Sequence, residues 1–244
     1  MPAYNEAQNL ERVVEAERRS LEGLRYEILV VDDGSTDGTS AIADALAARY
    51  PEVRAVHHDR NLGFSGGWRS CVTESRGVWV FLEPSDGQVA AGTARAFYEH
   101  RGSSEIVIGV RRYADRPAFR RSLSWGFHAV TRLSLGLRLT DFSLCFLFHG
   151  ALVRSFRTRS RSWGPSVIPE YLLLAQRRGL AIAEREVEVL PRTAGTAKGG
   201  RLSMALHTLV ELVRIGLLYR LRGELAGGRR PAVTASVDTR RMER

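Results

Sequence analysis

The stretch ILVVDDGSTDGT, residues 28–39, sets two adjacent carboxylates, Asp32 and Asp33, at the end of an apolar run. In an open α/β sheet, ligands bind beyond the carboxyl ends of strands, so a strand that stops on paired acids presents polar groups to a crevice. Gly34 permits a sharp turn, and Asp37 or Thr39 is suited to cap the helix that follows. Taken singly, such an Asp-Gly-Ser is a turn and a cap. Here three other segments share its setting: PAYNE at Pro2 to Glu6, NLGFSGG at Asn61 to Gly67, and EPSDGQ at Glu83 to Gln88, which again closes an apolar run. Arginines cluster further on, Arg111, Arg112, Arg120 and Arg121, together with Tyr113 and Ser124. Guanidinium forks match phosphate oxygens in pairs, which suits them to an anionic ligand; a solvated basic helix face is the plainer alternative.

Alternating elements must carry these groups. Residues 5–21 read as a helix with Asn5 as its N-cap. Strands follow at 28–32, 53–58, 78–82 and 105–110, separated by helices at 39–50, 67–74 and 89–100. Near-continuous apolar strands between helices predict a parallel sheet covered on both faces. Beyond about residue 111 the alternation loosens: 118–137 helical, 144–148 extended, 165–178 helical and 181–190 extended. Leu202 to Leu221 is a long amphipathic helix with His207, Glu211 and Arg214 on a narrow polar stripe. Residues 223–244 have few large apolar groups and read as a disordered tail. The expected organisation is one α/β domain over 1–201, the helix at 202–222, and the tail.

With 244 residues and 44% hydrophobic content, the chain is sized for one such domain. A formal charge of +9 and a pI near 10.3 point to anionic partners. No helix-turn-helix, zinc or RNA-binding signature accompanies that charge, so nucleic acid is not expected. The two cysteines, Cys71 and Cys145, sit in apolar contexts without metal-binding spacing. A reduced, cytoplasmic protein without a membrane span is the expectation.

Jointly, PAYNE, VVDDGSTDGT, NLGFSGG and SDGQ resemble the inverting nucleotide-sugar glycosyltransferases of family 2, in particular the dolichol-phosphate mannose synthase-like branch that glycosylates polyprenyl phosphates. The resemblance spans roughly residues 2–200 and implies a GT-A fold, a mostly parallel central sheet flanked by helices. In that family a hydrophobic strand precedes the PAYNE motif. This chain begins at Met1-Pro2, so the first strand is expected to be missing, with Met1 an internal or late start.

The resemblance implies that Pro2, Tyr4, Glu6, Asp32 and Asp33 line the nucleotide pocket, closed by Asn61 and Gly63. Carboxylates suit this role because they accept hydrogen bonds from a base N–H or ribose hydroxyls. Family members carry Asp-x-Asp after the fourth strand, whose carboxylates hold Mg²⁺ or Mn²⁺ against the diphosphate. Here the first Asp is replaced by Pro84, leaving Asp86, with Gln88 as an added oxygen ligand. Glu83 should point to the opposite face, so metal dependence is expected to be weaker than usual. For the acceptor, Arg112 and Arg120 match the branch's phosphate-gripping arginines, with Ser124 nearby, and Arg192 matches an arginine that reaches the diphosphate. Glu170 and Asp141 match family carboxylates. A phosphate acceptor is already ionised and needs no general base, whereas a sugar hydroxyl would need one of them. The implied partners are a UDP- or GDP-linked sugar and a polyprenyl phosphate, with the protein peripheral at the inner membrane face. The 202–222 helix then lies in the interface; docking on the domain core is its alternative. Transfer to a saccharide or small-molecule hydroxyl, or a weakened nucleotide-sugar-binding homologue, are the competing readings.

Overall fold

The computed structural model describes residues 1–111, 118–137, 139, 144–192 and 202–221. The chain runs β1 (Pro2–Ala3), α1 (Leu10–Ser20), β2 (Ile28–Asp32), α2 (Thr39–Arg49), β3 (Val53–His57), α3 (Gly63–Glu74), β4 (Trp79–Leu82), α4 (Thr93–Glu99), β5 (Ile106–Arg111), α5 (Ala118–Leu135), β6 (Phe146–His149), α6 (Gly150–Arg154), α7 (Val167–Arg177), β7 (Ile182–Val187) and α8 (Leu202–Leu221).

Two sheets result. The first is parallel, in the order β1-β2-β3, and the second is mixed, in the order β4-β6-β5-β7. All five residues of β2 are buried, as expected of a strand packed on both faces. The first residues of PAYNE itself form a short β1. Pro2 pairs with Val31 and Ala3 with Asp32, and the Val31 N–H donates to the Met1 carbonyl at 3.0 Å. Two paired residues suffice to draw PAYNE alongside the end of β2.

The sheet is less uniformly parallel than the apolar runs predict. β6 inserts antiparallel between β4 and β5, while β5 and β7 pair in parallel. Apolar runs specify burial but carry no strand direction, so this reversal leaves no trace in the pattern. The helix expected from residue 5 starts at Leu10, with Asn9 at its N-cap, and Asn5 instead takes a left-handed conformation at φ 51°. Asparagine tolerates that region better than other residues bearing a Cβ, which leaves Asn5 free to serve the turn.

The main core lies between the sheets and α3, α5, α7 and α8. It is built on Trp68, Phe146, Phe148, Tyr171, Leu172, Leu212 and Ile215. Trp68 stacks on Phe64 and meets Phe146 edge-on at 5.5 Å between centroids. Glycine at 216 lets α8 approach α5 closely, since a Cβ there would lie 2.3 Å from the Ser134 carbonyl oxygen. Among the described residues, no helix is long and apolar enough to cross a membrane. The tail expected from residue 223 lies outside the described residues.

Candidate active site

The PAYNE loop and the DDGSTDGT turn are laced together. The Asn5 N–H donates to Ser35 Oγ at 2.9 Å, the Thr36 N–H to Asn5 Oδ1 at 2.8 Å, and the Glu6 N–H to Thr39 Oγ1 at 2.8 Å. Asp37 accepts the Thr39 N–H at 3.0 Å just ahead of α2, while the N-cap position itself is Gly38 and has no side-chain cap, so neither Asp37 nor Thr39 is the cap expected from the sequence. Gly34 has φ +67° and lies against the Arg60–Asn61 backbone, where a Cβ would come within 2.5 Å of the Arg60 carbonyl carbon. Only glycine satisfies both the turn and the approach.

Each of the paired acids is held by a histidine at the end of β3 or just past it. β2 and β3 are in parallel register with Asp32 opposite His57. His57 Nδ1 lies 3.0 Å from Asp32 Oδ2, and His58 Nδ1 lies 2.7 Å from Asp33 Oδ1. Asp32 also accepts the Ser35 N–H at 3.1 Å and the Ser40 hydroxyl at 2.5 Å. Asp33 Oδ1 also accepts the Leu62 N–H at 2.9 Å, which draws the Asn61–Gly63 loop to the acids. His58 Nε2 reaches Ser70 Oγ of α3 at 2.8 Å. Burial pushes the Asp32 carboxyl up, but hydrogen bonds from Ser35, Ser40 and His57 outweigh it and hold the group below its usual range. The His57 imidazole is raised, chiefly by its hydrogen bond to Asp32.

His57 and His58 were not singled out from the sequence. The signal was there, because a DD strand end followed by an HH strand end in a parallel pair brings like positions side by side. It becomes usable only once the register is known.

Asp86 lies in the turn that follows β4. Its Oδ1 accepts the Gln88 N–H at 3.0 Å, and Arg192 Nη2 donates to its Oδ2 at 2.5 Å. Arg192 Nη1 lies 3.7 Å from Glu6 Oε1, so one guanidinium spans the PAYNE loop and the SDGQ turn. The chain delivers it there through an antiparallel bridge between Val89 and Val189 and a 2.9 Å bond from the Leu190 N–H to the Gln88 carbonyl. Ser85 Oγ donates to the Pro2 carbonyl at 2.9 Å and ties the turn to β1. Glu83 precedes the turn, and the Asp86 charge is among those that act on it. It is buried, and desolvation followed by the Glu17 charge raises its carboxyl well above the usual range.

No group of three or more metal-ligating side chains occurs among the described residues. The two residues expected to hold a cation, Asp86 and Gln88, would offer one carboxylate and one amide oxygen. That set fits a hard divalent cation that takes its remaining oxygens from water and phosphate, and it fits no all-protein cage.

Glu170 lies elsewhere. It is 0% exposed, and its carboxylate accepts the Arg159 N–H at 2.5 Å, the Ser160 N–H at 2.8 Å and the Tyr219 hydroxyl at 3.1 Å. A general base needs an oxygen within reach of its substrate, and this carboxylate is sealed into a junction between α7, α8 and the intervening strap, residues 157–166. The strap also touches the acid-bearing half: the Ser65 hydroxyl donates to the Gly164 carbonyl, and a Cβ at Gly63 would lie 2.5 Å from Trp163.

Arg112, Tyr113 and Asp141 lie outside the described residues. Arg120, Arg121 and Ser124 fall within α5, with side chains outside the described set. Pro2, Tyr4, Glu6, Asp32, Asp33, Asn61, Gly63, Asp86, Gln88 and Arg192 are brought to the strand ends of β1, β2 and β4.

Residues 1–162 match the profile of glycosyl transferase family 2. The chain belongs to that family. It is a glycosyltransferase, and homologous proteins act on lipid phosphates by name. An undecaprenyl-phosphate mannosyltransferase of Micrococcus luteus is 29% identical over 238 residues, covering 91% of this chain and 95% of its own. A dolichyl-phosphate beta-glucosyltransferase of Trichomonas vaginalis is 27% identical over 240 residues, covering 90% of this chain and 70% of its own. Among solved structures, glucosyl-3-phosphoglycerate synthase of Mycobacterium tuberculosis, crystallised with Mn²⁺, UDP-glucose and phosphoglyceric acid, superposes with a TM-score of 0.64 at 19% identity. That match covers 88% of this chain and 77% of the other, and it bears out the α/β GT-A fold.

Proposed function

We propose that this transferase moves a sugar from a UDP- or GDP-linked donor to a polyprenyl phosphate, with inversion at the anomeric carbon. The observation that carries the reading is the convergence of three turns: Asp32 and Asp33 are held by His57 and His58, Asp86 is bound by Arg192, and Glu6, in the loop tied to the DDGSTDGT turn, contacts the same guanidinium. The lipid phosphate class comes from the named relatives.

In this reading Asp33, with one oxygen occupied by His58 and the Leu62 N–H, offers the other to a base or ribose. Pro2, Tyr4, Asn61 and Gly63 shape the surrounding pocket. Arg112 and Arg120 grip the acceptor phosphate as bidentate forks. A phosphate oxygen attacks the anomeric carbon from the face opposite the diphosphate, the bond to the diphosphate oxygen breaks as the new bond forms, and configuration inverts. The attacking oxygen is already ionised near neutrality, so no proton has to be removed and the burial of Glu170 is no obstacle. Arg192 stabilises the departing diphosphate. Asp86 and Gln88 would hold Mg²⁺ or Mn²⁺, which when bound adds positive charge to the leaving group.

The outward face of α8 supports a peripheral membrane contact. Leu206, Val210, Val213, Leu217 and Leu221 are exposed at helical spacing, while Leu212, Ile215 and Tyr219 bury the other face. The helix thus docks on the core and still presents an apolar ridge, a geometry suited to the bilayer interface.

The test is incubation with a panel of nucleotide sugars, Mg²⁺ or Mn²⁺, and polyprenyl phosphate in vesicles, followed by extraction of glycolipid. A glycosyl phospholipid of inverted configuration is expected. A product of retained configuration, or transfer only to hydroxyl acceptors, would overturn the reading.

A further inference from the structure

Asp86 carries two commitments before any ligand arrives. One oxygen accepts the Gln88 N–H at 3.0 Å, and the other is bound by Arg192 at 2.5 Å. The carboxylate is almost fully buried, as is Glu6, whose Oε1 lies 3.7 Å from the same guanidinium. Removing charged groups from water this far is costly without a counter-ion, and Arg192 is the cation placed between the two acids. A divalent ion seeking Asp86 Oδ2 therefore meets a positive charge already there. Two cations on one carboxylate oxygen repel, and Pro84 supplies no second carboxylate to separate them.

We propose that Arg192 is an exchangeable counter-ion of Asp86: the guanidinium and a divalent cation compete for the same carboxylate oxygen, and Arg192 transfers to the donor's diphosphate when the cation takes its place. The proposal rests on the reading of Asp86 as the cation ligand. It explains how one arginine both neutralises the buried acids Asp86 and Glu6 and serves the leaving group. A diphosphate offers the displaced guanidinium a bidentate anionic partner, so cation and donor bind cooperatively. Without donor, the cation must displace Arg192 with no diphosphate to receive it, and binds weakly.

The experiment uses Mn²⁺ alone as probe, with free metal followed by electron paramagnetic resonance, on the full chain and on Arg192→Gln, Arg192→Lys and Asp86→Asn. Without nucleotide, Arg192→Gln is expected to bind Mn²⁺ roughly tenfold more tightly than the wild type, because a competing charge beside a poorly solvated carboxylate has been removed. Arg192→Lys keeps the charge and should stay close to wild type, which separates charge from packing. Adding UDP or GDP should tighten Mn²⁺ binding in the wild type by more than in Arg192→Gln. If Arg192→Gln and wild type bind Mn²⁺ alike while Asp86→Asn abolishes binding, the exchange is overturned and the cation reading of Asp86 survives. If Asp86→Asn binds Mn²⁺ as the wild type does, the underlying site assignment falls as well.

Discussion

At the residue scale, the informative contacts are the two aspartate–histidine pairs, because they fix carboxylates that would otherwise rotate. His58 sits between Asp33 and Ser70 at 2.7 and 2.8 Å, which sets its Nδ1 side toward the acid and its Nε2 side toward α3. Asparagine reproduces a donor near the Nδ1 position, whereas alanine removes it. His58→Ala should weaken UDP or GDP binding by about tenfold, the equivalent of roughly 1.4 kcal/mol for a lost hydrogen bond to a charged group. His58→Asn should recover most of that loss, with kcat at saturating donor little changed in both. Calorimetry with the free nucleotide diphosphate reads the first effect and steady-state kinetics the second; equal loss in both variants would assign His58 to packing alone. His57 lends itself to a pH test. Its folded-state pKa is raised, so the stability it contributes is complete below the unfolded value near 6.5 and is lost as pH rises through the raised value. Asp32 is depressed, so its contribution is present above about 4 and is lost as pH falls through the lowered value. The pair therefore acts most strongly between about pH 4 and 6.5. The melting-temperature gap between wild type and His57→Ala should be widest at mildly acid pH and narrow above neutrality; a gap independent of pH would refute the pairing.

At the scale of elements, the 157–166 strap is held from three sides. Glu170 takes two of its backbone N–H groups, Glu211 accepts the Arg161 N–H at 2.5 Å, and Arg214 donates to the Arg159 carbonyl at 2.9 Å. Glu170→Gln puts an amide nitrogen against backbone donors and should cost about 1–3 kcal/mol of stability. In a phosphate-accepting enzyme its kcat should remain within a few-fold of wild type, measured below the melting transition. A loss of several orders of magnitude with the fold intact would restore Glu170 as a general base. Tyr219→Phe, which deletes a single donor, should cost about 1 kcal/mol by denaturant titration. These contacts also mark where the sequence stopped being readable. The apolar runs of β2, β4 and β5 and the polar turns after them are local signals, and they brought Asp32, Asp33 and Asp86 to strand ends as expected. Glu170 looked like a site carboxylate because its partners Ser160 and Tyr219 stand 10 and 49 residues away and approach only through packing. The same limit hid β6, whose direction is set by what it pairs with, and His57 and His58 at the end of β3, whose meaning depends on register.

At the scale of the whole molecule, charge and apolarity fall in complementary places. Both faces of α8 are needed to see why. Inward, Leu212, Ile215 and Tyr219 pack against the core, and Glu211 with Arg214 ties the helix to the strap. Outward, Leu206, Val210, Val213, Leu217 and Leu221 form a ridge, the last 84% exposed, with Leu133 of α5 likewise exposed and Arg220 donating to its carbonyl at 2.7 Å. A net charge of +9 attracts the chain to anionic lipid, but an exposed charge is screened beyond about 10 Å at 0.1 M salt. Charge alone would therefore give binding that salt removes, whereas an inserted ridge would give a part that salt leaves. Each large apolar side chain moved from water is worth about 1.5–3 kcal/mol, so Val210→Asp or Leu217→Asp should weaken partition onto anionic vesicles by at least roughly tenfold. Melting temperature and binding of UDP or GDP should stay unchanged, because both side chains point away from the core and the crevice. Transfer to a long-chain polyprenyl phosphate in vesicles should fall with the partition, while transfer to a short, water-soluble prenyl phosphate should not. Cosedimentation at low and high salt separates the two contributions: binding by Leu217→Asp that matches wild type at both would remove α8 as the contact and leave the bilayer to another face of the protein.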